Sequence, residues 1–344
     1  MKLRSSTRAS KKAISTIKKK AKAKPDVDLK IKTKTLINDH SNDSTDPHIV
    51  PELKFFEPST MKKVKLPSEF HNAHTQEFIE GLQFIVDKDP SLLKIIKPKG
   101  AFHICLKDDS GPIKVKKGDI FYFHKLVSSL ISQQLSGKAA ESIQKRVIQG
   151  LSPDANNNVL PTAEVFFNAD TETLRSCGLS MRKVEYVKGL SKCFLPLEMT
   201  ASDKSPESPE QLQFTTNYFE TSSTEQISND LQSLKGFGPW TTSMFLMFAL
   251  ERLDVFEIGD LGIRRGLSYY IKERPDLVSE VSQLFNDGVL QRTVNGRKKK
   301  FSDKYVTDFD LVEAIADQFK PYRTLFMLIL WRISDTSVEA MGKR

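Results

Sequence analysis

From Ile120 to Ile333 apolar residues return every three or four positions in short segments, and Gly, Pro, Asn or Asp punctuate the chain between them. A chain patterned this way buries its stripes by packing short helices on one another, so the expected fold class is all-α. Helices are expected over 121–131, 138–149, 171–177, 183–194, 224–234, 241–253, 261–272, 310–319 and 322–333. Residues 197–214, with two Ser-Pro steps, read as a surface insertion, and 286–304 as a polar loop carrying Arg297, Lys298, Lys299 and Lys300. Upstream, 74–86 reads as a helix. Alternating Phe102, Ile104 and Leu106, a turn at 108–111, then Ile113 and Val115 read as a small β-hairpin. No fixed-period repeat occurs, which argues against a solenoid.

With 344 residues, 39% hydrophobic and 28% charged, the chain has room for one large core or two ordinary ones. Its three cysteines, Cys105, Cys177 and Cys193, show no Cys-x-x-Cys spacing. A disulfide framework, a thiolate zinc site and a four-cysteine iron-sulfur cluster therefore lack ligands. The longest apolar runs, 244–250 and 325–331, are too short to span a bilayer, and the N-terminus has no apolar signal core, so neither a membrane protein nor a secreted one is expected. The net charge of +9 is concentrated: thirteen Lys and Arg against two Asp lie in residues 1–34, and the remainder is close to neutral. Residues 1–65 lack any apolar period and are expected to be a disordered basic tail, fit to tether nucleic acid or to signal nuclear import.

The chemistry concentrates between Leu231 and Gly266. Leu234-Lys235-Gly236-Phe237-Gly238 joins two helices, and glycines one residue apart allow a tight turn whose amides face outward. Such a turn before a helix is a phosphate-binding surface; a plain helix connector is the alternative. Phe237 reads as an apolar plug, and Pro239 suits the first turn of the next helix, with Trp240 behind it. A helix over 241–253 would be about 20 Å long, so the return through 254–259 brings Asp260 back toward the same side. Asp260 before Leu-Gly-Ile-Arg-Arg also reads as an ordinary N-cap.

Together, L-x-G-F-G-P-W, an apolar helix and D-V-F-x-x-x-D-L-G-I-x-R-G resemble the helix-hairpin-helix (HhH-GPD) DNA glycosylase superfamily, and within it the yeast-type 3-methyladenine DNA glycosylase branch. The resemblance extends upstream to L-I-S-Q-Q-L-S-G-K-A-A, beginning at Leu130, and downstream to F-K-P-Y-R, beginning at Phe319, so it covers roughly 66–344. It implies two helical lobes with the active-site cleft between them: a helix and hairpin element over 66–120, then a catalytic domain over 121–344 with the helix-hairpin-helix near 224–253. The 66–120 segment offers too little strand pattern for a large N-terminal β-domain.

The resemblance also implies roles. Asp260 matches the catalytic aspartate, a carboxylate that stabilises the cationic sugar as the base leaves. Gln134 matches the wedge that fills the hole left by an everted base, with Gln133 supporting the loop. Ser136, Lys138, Lys235, Gly236, Phe237 and Gly238 fall on the DNA-binding loops. Trp240 resembles a pocket wall for a cationic alkylated purine, and Phe319 and Tyr322 are further pocket candidates beside a core-filling alternative. Where strand-cleaving members carry a Schiff-base lysine this chain has Trp240, so a monofunctional enzyme on alkylated bases in double-stranded DNA is expected. A glycosylase/lyase using Lys235 and a non-catalytic damage-binding module are the alternatives. No iron-sulfur cluster is implied; a monovalent cation on the backbone carbonyls of Gln232, Leu234 and Phe237 is. A monomer in the nucleus is expected. Asp254 competes for the carboxylate role but aligns outside the site; Trp331 reads as core, and Arg323 as a tie to a buried carboxylate. Arg264 and Arg265 read equally as phosphate contacts or a solvated face, and His71 and His74 lack a third metal ligand.

Overall fold

The computed structural model describes residues 64–107, 117–151, 159–200, 212–292, 306 and 308–336, all within one compact unit. Residues 1–63 of the expected tail, the turn at 108–111 with Ile113 and Val115, and Arg297 to Lys300 lie outside the described residues.

Sixteen α-helices occur among the described residues. The first three are α1 (Ser68–Ala73), α2 (Gln76–Lys88) and α3 (Leu93–Ile96). A middle group follows: α4 (Asp119–Ser132), α5 (Gly137–Leu151), α6 (Ala163–Asn168), α7 (Thr171–Ser176), α8 (Met181–Lys192), α9 (Leu197–Thr200), α10 (Thr216–Thr221), α11 (Thr224–Ser233) and α12 (Pro239–Phe248). The last four are α13 (Leu261–Glu273), α14 (Pro275–Asn286), α15 (Phe309–Asp317) and α16 (Arg323–Ile333). Short polar side chains start about half of them. Thr162, Asp170, Ser180, Thr215, Ser223, Asp260 and Asp308 each accept a first-turn amide as N-cap.

Packing sorts these helices into two lobes. α16 lies against α2, α3, α13 and α15, while α4 lies against α5, α8 and α12. The N-terminal and C-terminal helices thus close one lobe and the middle group forms the other, as the all-α, two-lobed expectation holds. Trp331, Phe319 and Phe326 fill the first, Phe123, Phe166 and Phe219 the second, all almost fully buried; each such side chain contributes about 1.5–3 kcal/mol by leaving water. Gly266 of α13 sits where a Cβ would lie 2.1 Å from the Leu330 carbonyl oxygen of α16, so these two helices meet backbone to backbone.

Two expectations need correction. Helix α12 ends at Phe248, not 253: Glu251 takes a left-handed φ of 54°, and the Arg252 amide turns back to the Leu246 carbonyl. The freed segment ties the lobes, since buried Thr324 donates to the Arg252 carbonyl and accepts from the Val255 amide. The described arm of the hairpin is not a strand, for Leu106 makes one isolated antiparallel bridge to His74 and nothing longer forms there.

His74 explains that arm. Fully buried and stacked on Phe78 at 4.1 Å, it accepts the Phe102 amide at Nε2 and lies 3.0 Å from the Ile104 carbonyl through Nδ1. An acceptor nitrogen facing an amide and a donor facing a carbonyl require the neutral ring. Burial, with the charges of Arg332 and His103, holds its pKa below the ordinary histidine value. A depressed folded pKa contributes stability that is complete above about pH 6.5 and is lost as pH falls below it, with a slope up to about 1.4 kcal/mol per pH unit for the proton taken up. Thermal midpoints should therefore drop between pH 6.5 and 5, and His74→Gln should flatten that drop while lowering the midpoint at pH 7.5.

Candidate active site

The turn between α11 and α12 is set by Gly236. Its φ is 99°, and a Cβ there would lie 2.5 Å from the Tyr186 ring and 2.9 Å from Leu130, so only glycine fits. Gly238 differs from the two-glycine expectation: its φ of −96° suits any residue, and its Cβ position opens onto free space. Phe237 is buried, and Lys235 is exposed. No side chain caps α12, so its first-turn amides have no side-chain acceptor.

Of the two sequence readings of Asp260, the structure shows the N-cap. As N-cap of α13 its Oδ1 accepts the Ile263 amide at 2.8 Å and the indole N–H of Trp331 at 2.9 Å. Its Oδ2 accepts the indole N–H of Trp240 at 2.8 Å. Two tryptophans from different lobes therefore fix the carboxylate plane. The preceding turn is itself fastened: buried Glu257 accepts from the Gly259 amide and from Ser243 Oγ, and its carbonyl accepts the Asp260 amide.

Trp240 is 42% exposed and walls a cleft of about 440 Å³ with Lys125, Ser132, Gln134, Met244 and Phe248. Asp260 is reached through Trp240 and does not line the cleft itself. Phe248, stacked on Trp331 at 6.3 Å, also lines a second cleft of about 290 Å³ with His103 and Arg332. Burial lowers the pKa of the Lys125 amine in the first cleft.

The Gln-Gln loop borders the same cleft. Gln133 Nε2 donates to the Gly236 carbonyl at 2.7 Å, joining this loop to the hairpin, and Gln134 is exposed with a left-handed φ of 57°. Leu135 beside it is 39% exposed. Ser136 spends its hydroxyl on the Ala139 amide at the start of α5, next to exposed Lys138.

Phe319 and Tyr322 are not in either cleft. Phe319 is fully buried and stacks on Phe326 at 4.1 Å, and Tyr322 packs on Phe84 at 5.3 Å. Phe319 lies in the turn before α16, and Tyr322 is that helix's N-cap, about 13 Å along its axis from Trp331, so the end of the helix that reaches Asp260 presents Trp331 instead. Trp331 is core, as read from the sequence, but its indole bond to Asp260 was not foreseen. Arg323 pairs with Asp254 at 2.7 Å and with Asp317 at 3.0 Å, which places Asp254 in a structural ion pair. Arg264 donates to the Val306 carbonyl and lies over the Phe309 ring. His71 and His74 build no metal site; no metal-binding cluster occurs among the described residues.

A family model described as HhH-GPD superfamily base excision DNA repair protein matches residues 127–289. A DNA-3-methyladenine glycosylase of Saccharomyces cerevisiae is 33% identical over 290 residues, which cover 82% of this chain and 88% of that protein. The chain belongs to the HhH-GPD superfamily. DNA-3-methyladenine glycosylase 1 of Schizosaccharomyces pombe is 35% identical over 147 residues, 43% of this chain and 57% of that protein. A crystal structure of a DNA-3-methyladenine glycosidase from Bacillus halodurans superposes with a TM-score of 0.48 at 26% identity, covering 75% of this chain and 91% of the other. In this HhH-GPD chain the family match contains the Gln-Gln loop, the hairpin, Trp240 and Asp260, whereas Trp331 lies beyond it.

Proposed function

We propose that this chain is a monofunctional DNA-3-methyladenine glycosylase, which hydrolyses the N-glycosidic bond of alkylated purines in duplex DNA and so begins base excision repair. The observation that carries the reading is the Asp260 carboxylate, pinned by Ile263, Trp240 and Trp331 beside an open cleft. Departure of the base leaves a cationic sugar, and a carboxylate already fixed in place stabilises that charge without reorganising. It also orients the attacking water. Alkylation at a ring nitrogen makes the purine cationic and weakens its bond to the sugar. The exposed face of Trp240 attracts such a base by about 0.5–2 kcal/mol.

Eversion of the base costs a few kcal/mol and leaves a gap that a side chain must fill. Gln134 is assigned as that wedge, with Gln133 holding its loop to the hairpin. The uncapped start of α12, with Gly236 and Gly238, anchors phosphate, and Lys235, Lys138 and the Ser136 turn flank the strand. If a monovalent cation binds at the hairpin, the backbone carbonyls of Gln232, Leu234 and Phe237 are the neutral oxygens that would hold it. The Leu234 oxygen accepts the Phe237 amide at 3.2 Å, and a carbonyl oxygen has a second lone pair for such an ion. Such a cation would add positive charge beside the phosphate anchor. The basic arm over 1–34 suits nuclear import and DNA tethering, and the protein acts as a monomer in this reading.

Purified protein incubated with methylated duplex DNA should release free 3-methyladenine and leave the strand intact until alkali. Lys125, which lines the first cleft, and Lys235 on the turn should give no borohydride-trapped adduct. Absence of free base, or strand scission before alkali with a trapped adduct, contradicts the assignment.

A further inference from the structure

Lys183 lies on α8, outside both clefts, yet its Nζ donates to the Ile131 carbonyl at 2.6 Å and to the Gln133 carbonyl at 2.8 Å. These carbonyls close α4 and open the loop that carries Gln134. Both acceptors are backbone carbonyls at the C-terminal end of α4, so the ammonium sits at the negative end of that helix's dipole. One turn further along α8, the Tyr186 ring underlies Gly236 so closely that no Cβ fits there. The same helix thus supports the hairpin through Tyr186 and the Gln-Gln loop through Lys183, and Gln133 Nε2 locks the two together at Gly236.

The loop needs that support. Gln134 sits at a φ of 57°, a left-handed conformation that is costly for a residue with a Cβ and persists only when its neighbours enforce it. The carbonyl immediately before it, that of Gln133, is held by the ammonium of Lys183. We propose that Lys183 is a positioning residue for base eversion, holding the loop so that Gln134 can enter the duplex. The inference rests on the wedge reading of Gln134.

The test compares release of a single N7-methylguanine placed opposite cytosine or opposite an abasic analogue, because eversion is costly only for the paired base. Lys183→Met should lower kcat/KM on the paired duplex about tenfold more than on the unpaired one, since part of the eversion free energy is no longer supplied. Lys183→Arg, which keeps a cationic donor, should restore most of it. Gln134→Ala should show the same paired-base loss, and the double variant should add little to it. Equal losses on both duplexes, or none, overturn the proposal, and the unpaired duplex guards against a variant that merely folds badly. If Gln134→Ala shows the selective loss and Lys183→Met does not, the Lys183 proposal falls alone. If Gln134→Ala shows none, the wedge reading falls and takes the proposal with it. Absence of release by the unaltered protein strikes the glycosylase reading instead; a 2-aminopurine beside the target, whose fluorescence reports unstacking without chemistry, then decides the Lys183 proposal in the same variants.

Discussion

Replacing Asp260 by Asn is expected to lower the single-turnover rate of base release from methylated duplex by about 10²- to 10³-fold or more, the scale seen when one preorganised electrostatic group is removed. The substitution is nearly isosteric, and Asn is as good an N-cap as Asp, so the Ile263 amide keeps an acceptor and the fold should survive. What changes is charge and one bond. The amide nitrogen would face the Trp240 indole N–H, two donors in opposition, where Oδ2 now accepts at 2.8 Å. Trp240 is exposed enough for water to compensate, so the loss falls on the chemical step. DNA affinity should change little, as a filter-binding or anisotropy titration would show.

Gly266→Ala should have the largest effect on stability. The new Cβ would lie 2.1 Å from the Leu330 oxygen and 2.7 Å from its carbon, and backbone on both sides leaves no flexible side chain to move. Helix α16 must shift from α13, at a cost of about 3 kcal/mol or more. That corresponds to a fall in the thermal midpoint of several degrees. Leu330 precedes Trp331, so the shift also drags the indole that holds Asp260 Oδ1. A displacement of about 1 Å at such a contact can cost 10²-fold in rate, and the folded fraction should therefore lose activity too. A midpoint within 2 °C of the unaltered protein would show that the close approach is not rigid.

Much of the site was legible because its parts are local. The cap at Asp260, the glycine turn and the Gln-Gln loop each lie within a few residues, and the apolar period marked most helices. Partners brought by tertiary packing were not. Trp331 lies 71 residues from Asp260, and Lys183 lies 50 residues beyond Gln133; nothing in their neighbourhoods distinguishes them from core filling and a surface cation. Glu257 carries no signal of burial until Ser243 and Gly259 are seen around it. The early end of α12 was hidden because Ala249-Leu250-Glu251 holds neither Gly nor Pro, and the break is enforced by contacts to Thr324. Helices α6 and α10, six residues each, were not expected, whereas α7, equally short, was. Phe319 and Tyr322 belong to a motif that precedes α16, whereas the far end of that helix is what reaches Asp260.

In this reading the Asp260 carboxylate faces the sugar that becomes cationic. A duplex with a cationic pyrrolidine in place of the target deoxyribose, set against one with a neutral tetrahydrofuran, isolates that charge. The protein should bind the cationic duplex at least about tenfold more tightly, as expected for a transition-state mimic, and Asp260→Asn should erase the preference while binding the neutral duplex as before. A preference that survives in Asp260→Asn would place the stabilising charge elsewhere and contradict the account.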